Sequence, residues 1–288
     1  VLFEYYFPVA QLKLPLFLPP LIGFILSFFC STVGISGAFL LLPFQVSILN
    51  YTTVTVSATN HLYNVVAIPS GVYKYWKEKR LYYPLTILIT LGTFPGVVIG
   101  YFFRISLFES LKNFKLLVGA VLLFIAGKMI CDLFFPQKQV KFSPEPIRTL
   151  RFGLFSLEFK YSEKVYKVNT ILVTLTALII GVIGGIYGIG GGALMAPILF
   201  AFFHLPPYVF AGATLFGTFL TSVLGVIIFT IGGKAPDFLL GVLFGIGGAF
   251  GMYLGAKIQK RVPQKALSIL LIFILLFISL KYISDSLL

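Results

Sequence analysis

Two short stretches of this chain combine residue types that can do chemistry inside an apolar setting. Gly34-Ile35-Ser36-Gly37-Ala38-Phe39-Leu40-Leu41-Leu42-Pro43 recurs 154 positions later as Gly188-Ile189-Gly190-Gly191-Gly192-Ala193-Leu194-Met195-Ala196-Pro197. Glycine in a helix interior costs roughly 1 kcal/mol relative to alanine, so each stretch reads as a break in a helix. Backbone unwound in an apolar run has N–H and C=O groups that protein, water or a ligand must satisfy. The half-helix that starts beyond a break presents free N–H groups and the positive end of its dipole, which suits an anion. Gly34, Ser36, Gly37 and Ala38 on one side, and Gly188, Gly190, Gly191 and Gly192 on the other, are therefore candidate binding residues. The plain alternative is close helix packing through glycine; two breaks in register argue against it.

A second set of polar groups follows each break. Ser57, Thr59, Asn60, His61, Tyr63 and Asn64 cluster in one apolar run. Asn60 and Asn64 are four apart and share a helix face. Thr214 and Thr218 stand at the matching positions of the other half, and the two sets together suggest one central site. Structural hydrogen bonding between helices is the competing explanation. His61 is the group that would titrate in mid-membrane if transport is coupled to protons. The nine acidic residues all avoid the middle of the apolar runs. Asp132, the deepest, lies one turn from Lys128 and is expected to pair with it. A carboxylate proton relay or a cation site of several carboxylates is thus not expected.

Other chemistries find little support. Cys30 and Cys131 form no CxxC or Cys/His ligand set, so neither a metal nor a cofactor is expected. Gly188–Ala193 formally fits a dinucleotide-binding GxGxx(G/A) pattern but lacks the strand–turn–helix context, and no Gly-Lys-Ser/Thr follows. There is no HExxH and no pair of intramembrane aspartates. A Ser57/His61 pair has no supporting acid, so the chain does not read as an enzyme.

The elements that must position these groups are membrane spans. The chain is 58% hydrophobic and 11% charged, with mean hydropathy +1.00, against about 25% charged for a soluble domain. Long uncharged runs recur, and about 20 apolar residues suffice to cross a bilayer as a helix. Eight elements are expected, at 14–49, 53–74, 83–103, 112–135, 168–203, 207–232, 236–257 and 264–283, the first and fifth interrupted by the breaks. The fold class is an all-α, polytopic integral membrane protein of the cell membrane. It divides into a first repeat at 14–135, a polar cytoplasmic linker at 136–167 and a second repeat at 168–284. Gly92, Gly96 and Gly100 in one half, and Gly247, Gly251 and Gly255 in the other, form stripes that admit another backbone. The net charge of +13 sits mainly in short connections, the pattern of the positive-inside bias, and is no nucleic-acid footprint. No cleavable signal peptide is expected.

Elements 1 and 5 are too long for a simple crossing. Either each is one kinked span, giving parallel repeats, or each folds back as a re-entrant pair, giving inverted ones. Charge counting places the linker in the cytoplasm under both; the inverted arrangement is the expectation adopted, because re-entrant backbone is tolerated where it lines a cavity.

The G-I-x-G-G-x-L-x-x-P motif in each half, with an A-x-A-T segment (Ala211–Thr214) opening the next helix of the second half, resembles the sulfite exporter TauE/SafE family, within the 4-toluene sulfonate uptake permease group. The resemblance covers about 16–280 and is better in the second half. In the first, Ser36 and Ala38 stand where glycines are expected, and Asn60 and His61 face Thr214 and Leu215. The resemblance implies a cofactor-free transporter, an exporter, of small sulfur-containing anions such as sulfite or organosulfonates, working by alternating access. A carrier of another small anion, a carboxylate, and a membrane protein assisting assembly of a partner are the alternatives. Partners are then a small anionic substrate and the lipid bilayer, with proton or ion coupling open and no reading of oligomeric state.

Overall fold

The computed structural model describes residues 4–32, 36–77, 79, 81–134, 147–258 and 264–287. In the first half, β1 (Glu4–Phe7) and β2 (Leu12–Pro15) form an antiparallel hairpin ahead of α1 (Leu18–Thr32). Then come α2 (Ala38–Ser47), α3 (Thr55–Ala67), α4 (Pro69–Lys77), α5 (Tyr83–Ile105) and α6 (Leu111–Phe134). Strands β3 (Arg148–Phe152), β4 (Leu157–Tyr161) and β5 (Lys164–Val168) make an antiparallel sheet in that order. The second half is α7 (Thr170–Tyr187), α8 (Gly191–Ala201), α9 (Pro207–Ile231), α10 (Phe238–Ile258) and α11 (Gln264–Leu287). Six of the described helices, α5, α6, α7, α9, α10 and α11, are long and apolar enough to cross a membrane; Leu18–Ser31, Ala38–Ser47 and Gly191–Phe200 are apolar but shorter.

Local chemistry explains the boundaries. The Asn169 side chain accepts from the Leu172 N–H and starts α7, while Gly188 in the left-handed conformation stops it. The apolar run at 53–74 divides at Pro69, which has no N–H to continue the ladder, into α3 and α4. The first helix begins at Leu18 rather than near 14, because residues 12–15 pair with β1.

The glycine stripes are where the halves meet. Gly92, Gly96 and Gly100 of α5 lie against Thr174–Ala177, Leu178–Gly181 and Val182–Gly185 of α7, so these two helices run parallel with their backbones in contact. Gly247, Gly251 and Gly255 of α10 meet Pro20, Phe24 and Phe28 of α1 in the same manner. Each broken element thus leans on the stripe of the opposite half. Beyond its break α8 turns back along α7: a Cβ on Gly184 would stand 2.7 Å from the Gly190 carbonyl carbon, and Leu172, Ile183, Leu194 and Phe202 line one groove. Gly37 likewise returns to Ser27.

The hairpins α1–α2 and α7–α8 enter from opposite ends. Ile89 meets Gly217 and Tyr101 meets Gly232, so α5 and α9 are parallel. Ala58 packs with Phe229, His61 meets Gly225 and Gly71 meets Leu215, so α3–α4 oppose α9. Leu62, Val66 and Gly71 climb with Gly241, Gly245 and Met252, which sets α10, and α1 with it, against α5 and α7.

The all-α expectation describes the membrane body and misses both small sheets. In 147–168, read as a polar linker, Leu157, Phe159 and Tyr161 alternate inward with Glu158 and Lys160 between them, a period-2 strand signal in a charged setting. Residues 136–146 of that linker lie outside the described residues.

Candidate functional site

Helix α3 runs between the two breaks, and its polar face is spent on them. The Asn60 Nδ2 donates to the Ala38 carbonyl at 3.2 Å, in the first turn of α2. One turn on, the Asn64 Nδ2 donates to the Ile189 carbonyl at 2.9 Å and reaches Ser222 Oγ at 3.3 Å. One turn back, Ser57 Oγ donates to the Ile186 carbonyl at 2.9 Å. The breaks also touch each other, since the Tyr187 hydroxyl donates to the Phe39 carbonyl at 2.7 Å. Ser57, Asn60, His61 and Asn64 are all fully buried.

The second break is built from glycine for steric reasons. Gly188 has φ 84° and Gly190 has φ 73°, both in the region that favours glycine. A Cβ on Gly190 would stand 2.8 Å from Ser222 Oγ and 2.9 Å from Thr218 Cγ2; on Gly192, 2.6 Å from the Thr218 N and Oγ1; on Gly191, 2.8 Å from Thr93 Cβ. The N-terminus of α8 carries no side-chain cap, so the N–H groups of Gly191, Gly192 and Ala193 begin the helix without intrahelical partners. The first break differs. Ser36 Oγ accepts from the Ala38 N–H at 3.3 Å and the Ser36 carbonyl from the Phe39 N–H at 3.3 Å. Ser27 and the Tyr63 hydroxyl, hydrogen-bonded to each other, close over Gly37.

The sequence-derived candidates sort accordingly. Asn60 joins Ser36, Gly37 and Ala38; Asn64, Thr214 and Thr218 join Gly188, Gly190, Gly191 and Gly192. Gly34 lies outside the described residues. Thr214 and Thr218 turn their hydroxyls to their own helix, donating to the Ala211 and Thr214 carbonyls at 3.1 and 2.8 Å, so they wall the break without offering it a proton. His61 lies against Gly225 and Phe229, whose ring centre is 6.0 Å away, with the backbone of Gly185 in the last turn of α7 also beside it. The amide orientations of Asn60 and Asn64 are settled because each NH₂ faces a carbonyl oxygen. Each side chain then keeps a buried Oδ1 with no protein donor.

Two residues escaped the sequence reading. Arg104, one residue past the element expected at 83–103, is 1% exposed. Its Nε donates to Ser57 Oγ at 3.0 Å, an Nη1 donates to the Phe108 carbonyl, and the Phe114 ring lies 3.9 Å from its Cζ. No carboxylate among the described residues pairs with it directly. It therefore sets a cation beside the end of α7, with Glu109 acting on it through space rather than by a direct ion pair. Its place four residues past Gly100, in the last turn of a stripe helix, was the available signal. Gln45 on α2 is the second: it is fully buried, with neither amide atom bonded. Among the described residues no group of three or more His, Cys, Asp or Glu side chains could hold a metal.

The region between the breaks is packed. A polar cavity of about 310 Å³, lined by Thr52, Thr53, Thr55, Glu109 and Lys234, opens at the end of the bundle where α3 starts. An apolar groove of about 590 Å³ lies between α6, α7 and α8. Neither includes a break glycine.

Residues 20–282 match the family described as "Sulfite exporter TauE/SafE". The chain is 25% identical over 267 residues to the "Probable membrane transporter protein YunE" of Bacillus subtilis (strain 168), covering 88% of this chain and 92% of that one. It is 24% identical over 268 residues to "Probable membrane transporter protein YjnA" of the same organism, covering 91% and 98%. No solved structure matches.

Proposed function

Because the chain belongs to the sulfite exporter TauE/SafE family, we propose that it carries a small sulfur-containing oxyanion, sulfite or an organosulfonate, out of the cell by alternating access at the second break. Membership and the two relatives make it a multi-pass membrane transporter and not an enzyme. The observation that carries the reading is the uncapped, all-glycine start of α8, walled by Thr218 and Ser222 and held from α3 by Asn64. Amide donors fixed in advance around a low-dielectric site are well suited to an oxyanion. Arg104 adds positive charge at the same end of α7, with Glu109 near enough to act on it but not ion-paired to it.

The buried Oδ1 atom of Asn64 refines the substrate. It wants a donor, and a fully deprotonated oxyanion has none. Hydrogensulfite offers both: oxygens for the α8 N–H groups and a proton for an amide oxygen. The polar cavity is the outer vestibule, leading along α3 from Thr55 to Ser57 and Arg104. The basic connection at 74–80 and the β3–β5 sheet mark the opposite, cytoplasmic face. In the packed state the breaks are closed to both sides. Movement of the α7–α8 hairpin along the α5 stripe, and of α1–α2 along α10, opens one side at a time, the two hairpins being inverted copies of one unit.

The test is thermal stabilisation of the purified protein against sulfite, sulfate, thiosulfate, sulfoacetate, toluenesulfonate, chloride and acetate. A ligand that binds the folded state raises its stability by mass action. Selective stabilisation by sulfite or a sulfonate, lost in Gly191→Leu, supports the reading. Equal response to acetate and sulfite overturns the substrate class, and a sulfite response untouched in Gly191→Leu and Asn64→Leu overturns the site.

A further inference from the structure

The β3–β5 sheet is two-sided in an unusual way for a connector. Its inner face is an ordinary small core: Leu157, Phe159 and Tyr161 are buried, Phe159 lies against Tyr82 with ring centres 5.2 Å apart, and Tyr161 stacks on Tyr208 at 5.1 Å. Tyr82 and Thr149 hydrogen-bond through their hydroxyls at 3.1 Å. These contacts seat the sheet over the starts of α5 and α9. The outer strand β3 and the turn that follows it leave apolar side chains uncovered among its arginines. Leu150 and Phe152 are about half exposed, and Leu154 and Phe155 are 76% and 70% exposed.

The depth of that turn is set by covalent neighbours of a membrane span. Thr170, the first residue of α7, donates its hydroxyl to the Leu154 carbonyl and its N–H to the Phe155 carbonyl at 3.4 Å. Leu154 and Phe155 therefore sit level with the first turn of α7, where Ile171 and Leu172 are also exposed. The uncovered apolar surface of the sheet is continuous with surface that faces hydrocarbon. Around it stand Arg148, Arg151, Lys160, Lys164 and Lys167, all exposed, against Glu163 and Glu158, the latter paired with Lys167 at 3.0 Å. Apolar side chains ringed by cations match a leaflet rich in anionic headgroups.

We propose that the β3–β4 hairpin is an interfacial anchor: Leu150, Phe152, Leu154 and Phe155 enter the headgroup region of the leaflet on the linker side, and Arg148 and Arg151 bind the phosphates of anionic phospholipids. A protein partner is disfavoured by continuity, since a soluble surface seated on Phe155 would abut the lipid-facing side of α7.

The experiment uses the full chain with Cys131→Ser, leaving the buried Cys30. Spin labels are placed at Leu154→Cys or Phe155→Cys, with Glu163→Cys in the β4–β5 turn as the aqueous control. The protein is reconstituted in phosphatidylcholine vesicles with and without phosphatidylglycerol. Collision with dissolved oxygen is compared with collision with a water-soluble nickel chelate. Labels at 154 and 155 should favour oxygen, the label at 163 should favour nickel, and phosphatidylglycerol should shift 154 and 155 deeper. Arg148→Gln with Arg151→Gln should remove that lipid-dependent shift. Labels at 154 and 155 as open to nickel as 163, in both vesicle types, overturn the anchor. Oxygen-dominated labels with no phosphatidylglycerol effect overturn the recognition of anionic headgroups.

Discussion

The two breaks are drawn from one motif and end in different states. At the first, Ser36 supplies a hydroxyl and a carbonyl that occupy the Ala38 and Phe39 N–H groups, and Ser27 with Tyr63 closes over Gly37. At the second, Gly190 stands where Ser36 stands and has no hydroxyl, so α8 begins without a side-chain cap. Support comes instead from outside, through Asn64 on the Ile189 carbonyl and Ser57 on the Ile186 carbonyl. One serine-for-glycine difference separates the two: N–H groups of the first break meet Ser36, while the start of α8 has no such side-chain partner.

The sharpest way to break this contrast is Gly190→Val. It forces a β-branched side chain into φ 73° and onto Ser222 and Thr218. That glycine-only backbone conformation and the overpacking each cost on the order of 1–3 kcal/mol. Transport should fall to background, and the sulfite-dependent thermal shift should vanish in protein that still elutes as a folded species.

The next effect should come from Asn64→Leu. The Ile189 carbonyl lies in the break and has no helix to bond to, so losing its donor leaves it buried and unsatisfied, at about 1–3 kcal/mol. Vesicle uptake at limiting sulfite should drop roughly ten- to a hundredfold if that cost falls on the bound state. Asn60→Leu should do less, because the Ala38 carbonyl can still accept within α2. Equal losses in the two variants would erase the distinction between the breaks.

Arg104→Gln should weaken apparent sulfite affinity several-fold, with a smaller change in the maximal rate, measured as a concentration series of uptake. If Arg104 only braces Ser57 and Phe108, melting temperature will fall while affinity holds. The smallest effect belongs to Ser36→Gly. It removes a cap worth about 1 kcal/mol or less and should lower the melting temperature by a few degrees with transport retained. A large loss of transport there would give the first break a binding role of its own.

Much of this arrangement was legible in the chain. The spans follow from uncharged length, and Lys128 and Asp132 pair as their spacing suggested. Gly188 and Gly190 show positive φ where the glycine run called for a break. What was not legible depended on distance in sequence. Asn60 and Asn64 share a helix face, but only folding sends one to each break. His61 is one residue from Asn60 and so about 100° around the helix, which turns it to α9. Arg104 falls just past the expected span at 83–103, and its burial comes from Phe114 and Ser57, on other elements. The β3–β5 sheet was hidden because its period-2 pattern is short and the cations between its apolar residues read as solvent-exposed linker.

The crossed leaning of the hairpins has a consequence for biogenesis. α1 finds its backbone partner in α10, near the far end of the chain, while α7 finds α5 in the half already made. During synthesis α1 must then wait, with Gly23 and its neighbours unmatched, until almost the whole polypeptide has been inserted. Contacts of such long sequence separation form late. The nascent first half is thus a client for whatever shelters incomplete bundles in the membrane, and truncation within α10 should leave a chain that inserts and is then degraded.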